Sequence, residues 1–230
     1  MKRDTITVTG SDAASYLQGQ ISQDVDALAE GDTAWSLVLH PTGKMVALFR
    51  IHRVGADDFL LDVDGGHAEA LLARLRRFVL RTAVTFEESE VRIPVPMEWP
   101  GTEDPNDERQ RILAGMPRMG AELTDDTIPG EAGQRMIELA VSFTKGCYTG
   151  QELVARIDSR GGNVPRPIRV LVAEGPIAVG DSVTVDGATV GEVTSTAGDV
   201  GLATVMRKVQ LGDAVSVGVT SAVITKPVES

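Results

Sequence analysis

One cysteine, Cys147, stands in the stretch "FTKGCYTGQE" at residues 143–152. Lys145 lies two positions before it, Gly146 and Tyr148 flank it, and Gly150 precedes "QELVARI", which reads as the start of a helix. A thiol attacks as thiolate, and a neighbouring cation and a helix N-terminus both favour that form. Gly146 and Gly150 let the backbone turn and approach a ligand closely. Glu152 falls early in the helix, where the dipole favours an acid. The competing reading is a small buried cysteine that only packs. No His or Asp is placed locally as a base, so a protease-type nucleophile is not supported.

A second pair of reactive types lies in "LLDVDGG". Asp62 and Asp64 are two apart, so in a strand they point the same way. Buried, they would be costly and therefore functional. Facing solvent, they are the polar side of an amphipathic strand, and this is the expectation, because acids are seldom buried without partners. His40, His52 and His67 share no metal-ligand spacing with each other or with Cys147, and read as surface or strand residues. The chain has no Walker loop, no GxGxxG and no G-x-S-x-G elbow. "HPTGK" around Lys44 is turn chemistry.

The elements that must position these residues alternate. "TITVTG" reads as a strand, and Ser11 or Asp12 is placed to cap a following helix. "AWSLVLH" and "MVALFRIHRV" are strands on either side of a Pro/Gly turn, and "DFLLDVD" is a third. "HAEALLARLRRFVL" sets Ala68, Leu71, Leu72, Leu75, Phe78 and Val79 at helical spacing, with arginines on the other face. "TAVTFEE" returns as a strand. Residues 94–106 read as a surface loop, "DERQRILAG" as a short helix, and 115–134 as a connector. This mixture fits an α+β layer with a mainly antiparallel sheet. After "GGNVPRP" the text becomes short Val-rich strands: "IRVLVA", "SVTVDG", "TVGEVTS", "VGLATVM" and "AVSVGV". That spacing predicts a small antiparallel barrel or sandwich. Two domains are expected, residues 1–165 and 166–230.

Composition narrows the class. The net charge of −11 repels a phosphate backbone, so direct nucleic-acid binding is not expected. No apolar run reaches the roughly 18 residues that span a bilayer, and "MKRDTITVTG" has no apolar segment behind its basic start. With one cysteine there is no internal disulfide, and a reducing cytoplasm is the expected compartment.

"SFTKGCYTGQELVAR" closely resembles the signature segment of the YgfZ-type folate-binding proteins, relatives of the glycine cleavage T-protein (aminomethyltransferase). "GSDAASYLQGQISQDV" resembles that family's opening helix, "LLARLRRFVLRTAV" its central helix and strand, and "MGAELTDDTIPGEAG" the approach to the signature. The resemblance covers most of residues 8–170. It implies a T-protein-like folate-binding fold with a small C-terminal β-barrel, and tetrahydrofolate as the ligand. It further implies an accessory role in assembly or repair of iron–sulfur enzymes, indirectly in tRNA modification, with iron–sulfur client or assembly proteins as partners. Cys147 matches the signature cysteine, with Lys145, Tyr148, Gln151, Glu152, Arg156 and Arg160 as companions at the folate. Glu152 suits the pterin's N–H edge, and Arg81, Arg156 and Arg160 suit the glutamate tail. The alternative is a folate-dependent one-carbon transferase, aminomethyltransferase or demethylase. That chemistry needs a general acid or base, for which Asp62 or Asp64 would serve. The T-protein's catalytic aspartate has no assigned counterpart in this sequence, and the chain is short for the family.

Overall fold

Strand alternation, tight Gly turns and two short amphipathic helices build the first of two units in a computed structural model that describes residues 2–104, 106–159 and 161–228. This unit takes in the residues up to Pro96, with Thr124–Gly130 and Gln134–Gly162. Its strands are β1 (Arg3–Thr9), β2 (Thr33–Leu39), β3 (Met45–Arg53), β4 (Asp58–Asp64) and β5 (Thr85–Ser89). They form one antiparallel sheet in the order β2-β3-β4-β1-β5. Helices α1 (Ala13–Gln20) and α2 (Ala68–Arg76) pack on it.

Register decides what each face carries. Thr5, Asp62, Arg50 and Trp35 are cross-strand partners over β1, β4, β3 and β2, so all four emerge on one face. One position along, Ile6, Leu61 and Ile51 emerge on the other, each with no exposed surface.

Helix α2 departs from the reading of its sequence. It ends at Arg76, so Phe78 and Val79 lie beyond it. Nor do all its arginines face out. Arg74 is buried, its Nε donating to the carbonyl of Leu39 at 2.8 Å and its Nη1 to Gln20 Oε1 at 3.1 Å. The long stem packs as hydrocarbon while the head finds acceptors that sequence spacing does not reveal. Asp12 sits at the N-cap of α1, but its carboxylate makes no cap bond and instead accepts from Ala83 N.

The second unit takes in Met97–Leu123, Glu131–Gly133 and the residues from Asn163 on. Its short helix α3 (Glu108–Leu113) is capped by Asp107, which accepts from Gln110 N, and packs on strands of a barrel. The barrel strands are β6 (Ile168–Ala173), β7 (Ser182–Val185), β8 (Ala188–Ala197), β9 (Val200–Val205), β10 (Ala214–Val217) and β11 (Thr220–Thr225). They close in the order β10-β11-β6-β9-β8-β7, with β10 pairing back to β7. Of the barrel or sandwich expected from the sequence, the closed barrel is what forms. Closure removes free edges, and its sixth strand, β11, is one that the sequence reading did not pick out. Val183, Val193, Ala203, Val217 and Ile224 fill the interior.

Two more helices complete the first unit: α4 (Gln134–Ala140), which packs on β2, and α5 (Gln151–Asp158). Between them runs the cysteine segment.

Candidate functional site

The cysteine segment is held from inside by the residues on either side of the thiol. Lys145 is buried, and its Nζ donates to the carbonyls of Ile21 at 3.0 Å and Gln23 at 2.6 Å. Burial draws its ammonium down to about 8, against the opposing pull of Asp24 and Asp26. Tyr148 is also buried, with the Lys145 amine 5.4 Å from its ring centre. Burial pushes the phenol up to about 12, and among the described residues its hydroxyl has no hydrogen-bond partner. Thr149 N donates to Gly19 O at 3.2 Å, fixing the far end of the segment to the end of α1.

With Lys145 and Tyr148 turned inward, Gly146 and Cys147 form an outward arc, and the thiol is exposed. Phe143, four residues earlier, is exposed as well. It is a residue of the segment that the sequence reading passed over, and its aromatic type was the signal available.

Gly150 is the N-cap of α5 at φ 85°, and a Cβ there would fall 2.7 Å from both the His40 carbonyl oxygen and Leu39 Cβ. Across that contact Gly43, at φ 83°, leaves no room either, since a Cβ would lie 2.4 Å from Leu153 Cβ. Glycine is needed at both places, because the β2–β3 turn lies directly on the start of α5. Glu152 and Arg156 are exposed and Gln151 is half-buried on this helix. Arg160 lies outside the described residues.

Asp62 and Asp64 belong to a different constellation. The expected solvent-facing role fails for Asp62, which is buried. Its Oδ1 accepts from Arg3 Nη2 at 2.6 Å and Arg50 Nε at 3.1 Å, and its Oδ2 accepts from Arg50 Nη2 at 2.6 Å. Burial raises the carboxyl, but the two guanidiniums outweigh it and hold the group below its usual value. Asp64 pairs with Arg3 Nη1. Arg50 also reaches the Val95 carbonyl at 3.0 Å, and Arg3 stacks 5.9 Å from the Trp35 ring centre. Alternation placed the two acids on one side. It could not show that arginines 12 and 59 residues away meet them there.

His52 is a buried strand residue bonded to Thr33 Oγ1 at 2.8 Å. Among the described residues no three His, Cys, Asp or Glu side chains gather as a metal site, and no helix is long and apolar enough to cross a membrane.

No protein-family model matches the chain. Its sequence is 34% identical over 187 residues to an uncharacterized protein of Haemophilus influenzae, covering 69% of this chain and 67% of that protein. It is 28% identical over 209 residues to the tRNA-modifying protein YgfZ of Vibrio vulnificus, covering 69% and 64%. The Escherichia coli YgfZ gives 28% over 215 residues, covering 68% and 66%. In structure the chain resembles the glycine cleavage aminomethyltransferase T of Bartonella henselae, at a TM-score of 0.79 and 16% identity, over 97% of this chain and 83% of that one. This chain belongs to the YgfZ-type family.

For a YgfZ-type chain the antiparallel sheet and closed terminal barrel are the T-protein-like fold expected from the signature. The chain spans about two thirds of the length of the curated relatives it matches. Of the residues expected at the YgfZ signature, the structure brings Lys145 and Tyr148 together beneath Cys147 and places Gln151, Glu152 and Arg156 on the helix that follows. Asp62 and Asp64 sit instead in the arginine network of the sheet.

Proposed function

We propose that this protein binds a tetrahydrofolate and serves as an accessory factor in the assembly or repair of iron–sulfur enzymes, acting on tRNA modification through them. The observation that carries this reading is the presentation of Cys147. The chain's one thiol stands exposed on an arc whose two neighbours are buried as anchors. A packing cysteine would be buried. One cysteine cannot hold a cluster alone, because such clusters take about four protein ligands. The thiol therefore meets sulfur or metal chemistry carried by a client protein.

The donor set at the start of α5 fits a reduced folate. Glu152 offers a carboxylate to the pterin's amino and N–H edge, Gln151 an amide, and Arg156 a guanidinium for the tail, with Arg160 assigned to the tail by its place in the signature. The inward anchors Lys145 and Tyr148 support the loop in this scheme.

The one-carbon transferase reading requires a proton acceptor. Asp62 is a weak base, with both oxygens committed to arginines, and this favours the accessory reading. Incubating the protein with tetrahydrofolate and an aminomethyl thioether of dihydrolipoamide separates the two, because the aminomethyl carbon passes to folate as methylene-folate, with release of ammonia and the free thiol, only if the chain is a transferase.

Gene deletion followed by assay of cluster enzymes under oxidative stress tests the main reading. Activities should fall, return with the wild-type chain, and fail to return with Cys147→Ala, while that variant stays folded and binds tetrahydrofolate by titration calorimetry. Unchanged cluster-enzyme activity in the deletion strain, or no heat of binding with tetrahydrofolate, would refute it.

A further inference from the structure

Beyond the thiol loop, the segment after α2 forms an exposed tip that, apart from the Arg81 expected at the folate tail, neither the folate nor the cysteine accounts for. Leu80 is 80% exposed and Phe78 38%. The Phe78 ring lies 4.6 Å from the Arg74 guanidinium and 5.9 Å from that of Arg77. Arg81 adopts φ 57°, a left-handed conformation that side-chain-bearing residues take only at a cost.

The charge of this tip opposes that of the chain. Residues 70–86 hold Arg74, Arg76, Arg77 and Arg81 and no acid, within a protein of net charge −11. Arg74 is buried, and Arg76 donates to the Phe86 carbonyl. Arg77 and Arg81 remain exposed, and among the described residues neither is in an ion pair.

The tip is also braced. Asp12 and Ala83 exchange bonds, Ala83 N to Asp12 Oδ2 at 2.7 Å and Asp12 N to Ala83 O at 3.2 Å. Gly10 lies so close that a Cβ would fall 2.2 Å from the Ala83 carbonyl oxygen. A pre-formed tip loses little freedom on binding.

We propose that Phe78, Leu80 and the Arg77 and Arg81 cations form a docking surface for a partner protein that carries an apolar socket rimmed by carboxylates. An aliphatic knob beside a ring and arginines is the composition of an interface anchor, and the paired charges steer the encounter. A single leucine and one ring edge give a membrane surface too little apolar area to hold. The acidic chain as a whole disfavours RNA. The proposal deepens the accessory reading, which requires clients to be met, and rests on it only for who the partner is.

The experiment uses the full chain in cells, with a benzophenone-bearing residue at position 80 and a control at the fully exposed Val219. A discrete protein adduct from position 80, absent from the control and reduced at least tenfold by Arg77→Glu, is the expected result. Leu80→Asp should also lower rescue of cluster enzymes at least tenfold while leaving tetrahydrofolate affinity and melting temperature unchanged. A nuclease-sensitive adduct, an adduct indifferent to Arg77→Glu, or full rescue by Leu80→Asp would overturn the proposal. If deletion of the gene leaves cluster enzymes intact, the accessory reading fails, and the crosslinking arm alone decides the tip.

Discussion

The Lys145 amine lies 2.6 Å from the carbonyl oxygen of Gln23, 122 residues earlier in the chain, and this contact turns a residue of the thiol loop into its anchor. Removing the amine leaves the Ile21 and Gln23 carbonyls without that donor in or near the interior. Lys145→Met should cost about 2–4 kcal/mol, from loss of a buried charged donor to two acceptors. Urea denaturation measures it, and faster hydrogen exchange confined to residues near 145–149 should accompany it.

The same amine imposes a pH dependence with a definite sign. Its folded value, about 8, lies below the ordinary 10.5 of an unfolded lysine. Between those values the unfolded chain binds more protons, so stability rises with pH across that window. It is fully gained above the unfolded value and lost as pH falls through about 8. Subtracting the Lys145→Met curve from the wild type should isolate this rise. Parallel curves from pH 7.5 to 10 would contradict it.

Asp62 stands between Arg3 and Arg50, so Asp62→Asn leaves Arg50 without its carboxylate and Arg3 with Asp64 alone. The expected loss is about 3–5 kcal/mol, typical of breaking a buried pair on one side. The carboxyl's lowered value gives stability that is present above the unfolded value and disappears as pH falls through the folded one. The wild type should therefore lose stability on acidification more steeply than the Asn variant, as followed by circular dichroism.

The two tyrosines should respond in opposite ways to loss of a hydroxyl. Tyr16 donates to the Leu75 carbonyl, whereas the Tyr148 hydroxyl has no partner among the described residues. Tyr16→Phe should cost about 1 kcal/mol, and Tyr148→Phe should be neutral or slightly stabilising. Equal losses in chemical denaturation would mean that Tyr148 does have a partner.

Gly150→Ala places a methyl group against His40 O and Leu39 in a left-handed conformation. The strain and clash together should exceed about 2 kcal/mol, against about 0.5 kcal/mol or less for Gly146→Ala, where a Cβ would meet nothing within 4 Å. Both are measured by thermal melts, with alkylation of Cys147 as a readout of the loop.

Much of this protein was legible before any coordinates. Alternation located β1, apolar runs set off by turns located β2 to β4, and Gly turns separated the barrel strands. The one thiol with its flanking types marked the candidate site and its family. β11 escaped notice because "TSAVIT" follows β10 after only Gly218 and Val219, and the two read as one Val-rich run. The direction of side chains was beyond local reading. Lys145 reads as a cation for the thiol until the Ile21 and Gln23 carbonyls are folded beneath it. Asp62 reads as a solvent-facing acid until β1 and β3 bring Arg3 and Arg50 alongside.

By itself, then, the order of residues determined where strands, turns and the thiol segment lie, because those follow from spacing and backbone freedom among near neighbours. Only the tertiary structure decided which polar groups are buried and what satisfies them. A buried charge is stabilised by partners tens of residues away, and those partners arrive through sheet register and helix packing.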